Sequence, residues 1–195
     1  HKAAANEFRR CSELTAPLLF PVAAFFAVNA QQFIELLFTA QYSDAAIPFA
    51  IYSLTVLVRS ASFGAILGAY GQNWFIFTRT IVGLLANLIL SIIAIQLIGS
   101  AGAAWATVFV LFFIATPLNY SKITKISGVT LGALVPFRLF GKITLISLIF
   151  TCLQICSIHT IDSYAIWFNL ILLGCIVTLT NWSFIRTLFE RGVRT

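Results

Sequence analysis

Charge is scarce in this chain. Asp, Glu, Lys and Arg together make up 9% of its 195 residues and 60% are hydrophobic, whereas soluble domains run near ~25% charged. That deficit excludes a water-soluble globule. Strict alternation of apolar and polar residues is also missing, which excludes a membrane β-barrel. No Cys-x-x-Cys, His-Glu-x-x-His or Gly-Lys-Ser/Thr loop occurs, so thiol-redox, zinc-peptidase and phosphate-loop chemistry have no foothold. The four cysteines, at 11, 152, 156 and 175, read as small apolar helix residues, with Cys152 and Cys156 on one face. His159-Thr-Ile-Asp162 has no second acidic or nucleophilic partner nearby and reads as a polar turn. Neither a cofactor nor a metal site is expected. The formal charge of +6 is scattered between apolar runs, so no nucleic-acid partner is expected. Methionine is absent even at position 1, and the polar start HKAAANEFRRCSEL has no cleavage pattern. The expectation is a piece of a longer protein whose beginning is missing.

What the chain does have is a series of long apolar runs. Thr80 to Ile98 and Ala103 to Leu118 are apolar on every face and are joined by Gly99-Ser-Ala-Gly102. A soluble helix would keep a polar back, and about 20 apolar residues cross a hydrocarbon core of ~30 Å. The pattern therefore predicts an all-α, polytopic membrane helical bundle of six transmembrane helices. Its spans fall at about 14–38, 47–70, 80–98, 103–118, 143–158 and 164–185. Residues 1–13 form a basic lead-in, 119–142 an amphipathic connection in the headgroup region, and 186–195 a basic tail. Pro17 and Pro21 are expected to bend the first span.

Cations set the expected topology. Eleven of the twelve Lys and Arg residues fall in the lead-in, the turn at Arg79, the 119–142 connection and the tail. The intervening hinges carry none, so the positive-inside rule puts both termini in the cytoplasm. The twelfth, Arg59, lies within a span, where a guanidinium costs at least ~2.5–3.5 kcal/mol on insertion scales. It must meet a cavity, a partner or water. Glu35, the one acidic residue inside a span, is an ion-coupling candidate, with an interfacial carboxylate as the plainer reading. Asn87, Gln31 and Gln32 are candidates for polar cavity lining or for hydrogen bonds between helices. Gly64 and Gly68, like Gly128 and Gly132, have the small-xxx-small spacing that permits close helix approach.

A family resemblance rests on the order of several features: PLLFPVAAFF and FIELLFTAQYSDA, then Arg59 followed by SFGAILGAYGQN, then ANLILSIIAIQLIGSAGAAWATV and a basic connection before two last spans. In this order the chain resembles the C-terminal half of polysaccharide and lipid-linked oligosaccharide flippases (O-antigen flippase-like), in the superfamily of multidrug and toxic-compound extrusion transporters. The resemblance implies one six-helix lobe of a twelve- or fourteen-helix transporter in the bacterial cytoplasmic membrane, working by alternating access. Its implied partners are the lipid-linked glycan substrate, membrane lipids and the N-terminal bundle of the same protein. Arg59 would then hold the anionic pyrophosphate of the cargo, since Arg makes bidentate contacts with phosphate oxygens. Asn87 would contact sugar hydroxyls, and Gln31 and Gln32 would be polar lining of the cavity or residues of the outer interface. The alternatives are a multidrug/cation antiporter of the same superfamily and an integral membrane enzyme of envelope polysaccharide assembly. The enzyme would need a polar catalytic loop that this chain does not contain.

Overall fold

The computed structural model describes residues 2–58, 60–61, 63–161 and 165–182. All regular elements among these residues are helical. The first, α1 (Lys2–Val28), begins well before the expected span. Its start is amphipathic: Ala5, Phe8, Ser12, Ala16 and Ala23 recur at helical spacing and are all buried. The helix passes through Pro17 and Pro21. Pro21 has no N–H to give the Pro17 carbonyl, and the Thr180 hydroxyl donates to that oxygen instead at 3.4 Å. The interruption comes at Asn29, whose backbone N–H and side-chain Nδ2 both donate to the Phe25 carbonyl at 2.9 Å. α2 (Ala30–Phe38) follows.

The chain returns through a 3-10 turn (Ala40–Ala45), α3 (Ala46–Ser53), α4 (Thr55–Val58) and α5 (Phe63–Ala69). Hydroxyls take up the carbonyls at these interruptions. Ser53 donates to Ala50 at 2.6 Å, Thr55 to Tyr52 at 2.7 Å and Ser60 to Leu57 at 2.8 Å. α6 (Asn73–Ile98) ends at Gly99, whose φ of 68° glycine adopts without steric cost. α7 (Ser100–Phe109), a π-helical turn (Val110–Ala115) and α8 (Thr116–Ser127) then run on as one rod. The π register precedes Pro117, and the Thr116 N–H and hydroxyl both donate to Leu111 O. α9 (Leu131–Leu134), α10 (Phe137–Ile161) and α11 (Ala165–Thr180) complete the fold.

Five helical stretches are long and apolar enough to cross a membrane: Ala4–Val28, Ala40–Ala69, Asn73–Ile98, Ser100–Ser127 and Phe137–Ile158. The apolar Ala165–Thr180 is shorter. In the expected 119–142 connection the helix persists to Ser127, because Asn119, Ile123 and Ser127 extend the buried stripe of α8. Gly128, at φ 65°, ends it. α10 then starts directly after Pro136 and runs through the expected hinge at 159–161. Arg59, Asp162, residues 183–185 of the last expected span and the tail with Arg186, Arg191 and Arg194 lie outside the described residues.

α1 is the hub. α10, α11, α3 and α4 pack along it, and α5 and α9 meet it at one end. That end is closed by Ala5, Phe8, Phe63, Leu67, Ile123 and Leu134, with Tyr120 set edge-on to Phe63 at 4.9 Å. α6 stands apart. It has no buried residue and rests mainly on α7 and the π turn.

Candidate functional site

The two interrupted helices face one another. Val58, Ser60, Ala61 and Phe63, around the α4–α5 break, and Phe112, Thr116, Pro117 and Tyr120, from the π turn into α8, line opposite walls of a cavity of about 740 Å³. Phe20 of α1 and Phe137, Phe140 and Thr144 of α10 close the remaining side. Irregular backbone at membrane depth is tolerated only where it is buried in protein or lines a cavity, and both irregular stretches do so here. The walls are mostly apolar, with hydroxyls from Ser60, Thr116, Ser121, Thr124 and Thr144. Thr15 on α1 holds the broken helix in place: its hydroxyl donates to the Ser60 carbonyl at 2.8 Å.

A second cavity of about 400 Å³ lies against the other side of the α4–α5 break, lined by Thr55, Val58, Ala61, Phe63, Gly64, Arg79 and Leu111. Arg79 Nη1 donates to Asn119 Oδ1 at 3.0 Å, and its Nε is buried without a partner. Tyr70, in the turn before α6, packs against the end cluster. Partial burial raises its phenol pKa above the ordinary 10.0, so it stays neutral.

A polar node joins the hub helices. Asn169 of α11 donates to Asn29 Oδ1 at 2.8 Å, and Ser157 of α10 donates to Asn169 Oδ1 at 2.7 Å. Gln154, one turn before Ser157, is wholly buried, and neither of its amide atoms has a partner. Neutral amides and a hydroxyl in such a setting suit an enclosed water. Among the described residues no cluster of three or more His, Cys, Asp or Glu could hold a metal.

Of the residues singled out in the sequence, Gln31, Gln32, Glu35 and Asn87 lie apart from both cavities, while Gly64 lines the second one. Gln31 donates to Glu35 at 2.9 Å along the exposed face of α2, and Gln32 on the same helix has a buried, unpartnered Oε1. Asn87 lies between α6 and α7, accepting from Thr107 at 3.3 Å and from Ser91 at 3.4 Å, which is a packing arrangement. Arg59 is outside the described residues, but its chain neighbours Val58 and Ser60 both line the large cavity. No neighbour presses on Gly64 or Gly68. The close approach is at Gly102, where a Cβ would collide with the Ala94 carbonyl.

Arg79 was missed because it reads as a turn charge when the helix is taken to begin at Thr80. Asn29, Gln154 and Asn169 carry the same signal as Asn87, Gln31 and Gln32, an amide inside an apolar run, and only those last three were singled out by it. Comparison with protein-family models, with curated protein sequences and with solved structures finds no match to this chain.

Proposed function

We propose that the protein is a membrane transporter that moves a lipid-linked oligosaccharide across the bacterial cytoplasmic membrane by alternating access. The chain forms a six-helix lobe with both termini cytoplasmic, and the cargo path runs between it and an N-terminal bundle. The observation that carries this reading is the α4–α5 break facing the π turn of the α7–α8 rod across a cavity of about 740 Å³. Transporters place their substrate sites where spanning helices are interrupted, because freed backbone groups and altered helix register create room and polarity at depth. Apolar walls suit the lipid portion of the cargo, and the hydroxyls on Ser60, Thr116 and Thr124 suit the sugar. Arg59 is proposed to neutralise the pyrophosphate between the two.

The test uses cells lacking the full-length gene. Lipid-linked glycan should accumulate on the cytoplasmic leaflet, and the intact gene should relieve it. Arg59→Ala and Arg59→Lys, at matched protein level, should each fail to relieve it. Normal export by both variants would remove Arg59 from the path, and normal glycan export without the gene would sink the reading.

A second reading is a multidrug/cation antiporter. It is favoured by the six aromatic side chains of the large cavity: Phe20, Phe63, Phe112, Tyr120, Phe137 and Phe140. Flat apolar cations bind well against such rings. Protection of cells against lipophilic cations, with glycan export unaffected, would select it.

A further inference from the structure

Arg79 poses a problem that its hydrogen bond to Asn119 does not solve. A guanidinium has five N–H donors, and here Nη1 is used by Asn119 while Nε is buried and unpartnered. No carboxylate answers the charge, since the one ion pair among the described residues is Arg9–Glu13. A second cation lies alongside. Lys122 is three residues beyond Asn119 on α8, and its Nζ sits 5.2 Å from the ring of Phe75, four residues before Arg79 on α6. The two helices run antiparallel, so Arg79 and Lys122 occupy neighbouring turns of one groove, about 5 Å apart along the axis. Two cations with open donors at that spacing fit the oxygens of one phosphodiester.

The cavity that Arg79 lines, and that Asn119 and Lys122 do not, indicates what carries the phosphate. Val58, Ala61, Phe63 and Leu111 are apolar, and Thr55 supplies one hydroxyl. Free phosphate would find few partners there, whereas an acyl chain would. Arg79 lies six residues into α6, about 9 Å along the helix from its start. Trp74 in the first turn is 78% exposed, as befits a side chain at a membrane–water boundary. We infer that Arg79, Asn119 and Lys122 seat the phosphate of a membrane phospholipid in the groove between α6 and α8. One of the lipid's tails enters the cavity lined by Val58, Ala61, Phe63 and Leu111, and the other lies along the exposed apolar surface of α6. This seat lies on the far side of the α4–α5 break from the large cavity. It requires only that α6 and α8 cross a bilayer, whatever cargo the protein carries.

The test is native mass spectrometry of the full chain released from detergent and titrated with phosphatidylglycerol. Arg79→Gln should weaken lipid retention about tenfold, the loss of one charge-assisted contact. Lys122→Gln should weaken it several-fold, and Arg79→Lys should fall between Arg79→Gln and the unaltered protein, having charge without the fork. Arg138→Gln, which alters a cation of a different cavity, should leave retention unchanged. Wild-type retention by both Arg79→Gln and Lys122→Gln would overturn the inference. Displacement of the lipid from the unaltered protein by excess inorganic phosphate would overturn it too, assigning the groove to a small anion. If Arg79→Gln aggregates, Lys122→Gln decides alone: a several-fold loss supports the seat, and no loss refutes it.

Discussion

The α1–α10–α11 hub and the α6–α7 hairpin are built from the same apolar residues and held together by different means. In the hub, amides and a hydroxyl pair across three helices: Asn29, Asn169 and Ser157 are all buried, and Thr180 reaches over to the Pro17 carbonyl. In the hairpin the contact is steric, a glycine against a carbonyl, with Asn87 and Thr107 in a longer hydrogen bond at a half-buried position. In a bilayer, lipid is as apolar as Leu, so helices gain little from the hydrophobic effect on meeting each other. What remains is close packing or polar pairing, and each region relies mainly on one of them.

Breaking the steric region should have the largest effect. Gly102→Val forces a branched side chain against the Ala94 backbone and should cost about 3 kcal/mol, at the upper end for overpacking. A lowered unfolding temperature and loss of monodisperse protein in detergent would register it; an unchanged melt would show that α6 and α7 are not held in this contact. Asn169→Leu should come next, at about 1–2 kcal/mol, because it takes from Asn29 Oδ1 its donor on α11 and from the node its link between α10 and α11. Adding Asn29→Leu should recover part of that loss, and a strictly additive double variant would argue against the pairing. The smallest effect should have the opposite sign. Gln154→Leu removes two buried, unpartnered amide atoms and should raise stability by up to about 1 kcal/mol. If it destabilises instead, the amide is held by an enclosed water.

How far the sequence foretells this arrangement depends on the kind of signal involved. Long uninterrupted apolarity has one physical meaning, so the spans at 80–98 and 103–118 and the glycine turn between them could be read directly, and they fall within the longer helices Asn73–Ile98 and Ser100–Ser127. Ends were harder. Arg9, Arg10 and Glu13 mark residues 1–13 as polar, yet Ala5, Phe8 and Ser12 form a buried stripe beneath them, because a helix leaving a membrane keeps one face packed while the other meets water. Lys122 and Lys125 similarly concealed the continuation of α8 on Ile123 and Ser127. The polar node joins residues 140 apart in the chain, and no local pattern reports such a pairing. The facing of the α4–α5 break and the π turn is also tertiary. Pro117 hints at irregular backbone, and nothing nearby in the chain says what that irregularity faces.

The step in α1 from Pro17 to Pro21 has a mechanical consequence. That turn lacks the two ladder bonds that the Pro17 and Pro21 nitrogens would give, and the Pro17 oxygen has only a long contact to Thr180, so bending there meets less backbone resistance than elsewhere in α1. Flexing within α1 should concentrate at this point, as in a beam thinned at one place. The helix that most of the others lean on therefore contains a compliant joint of its own.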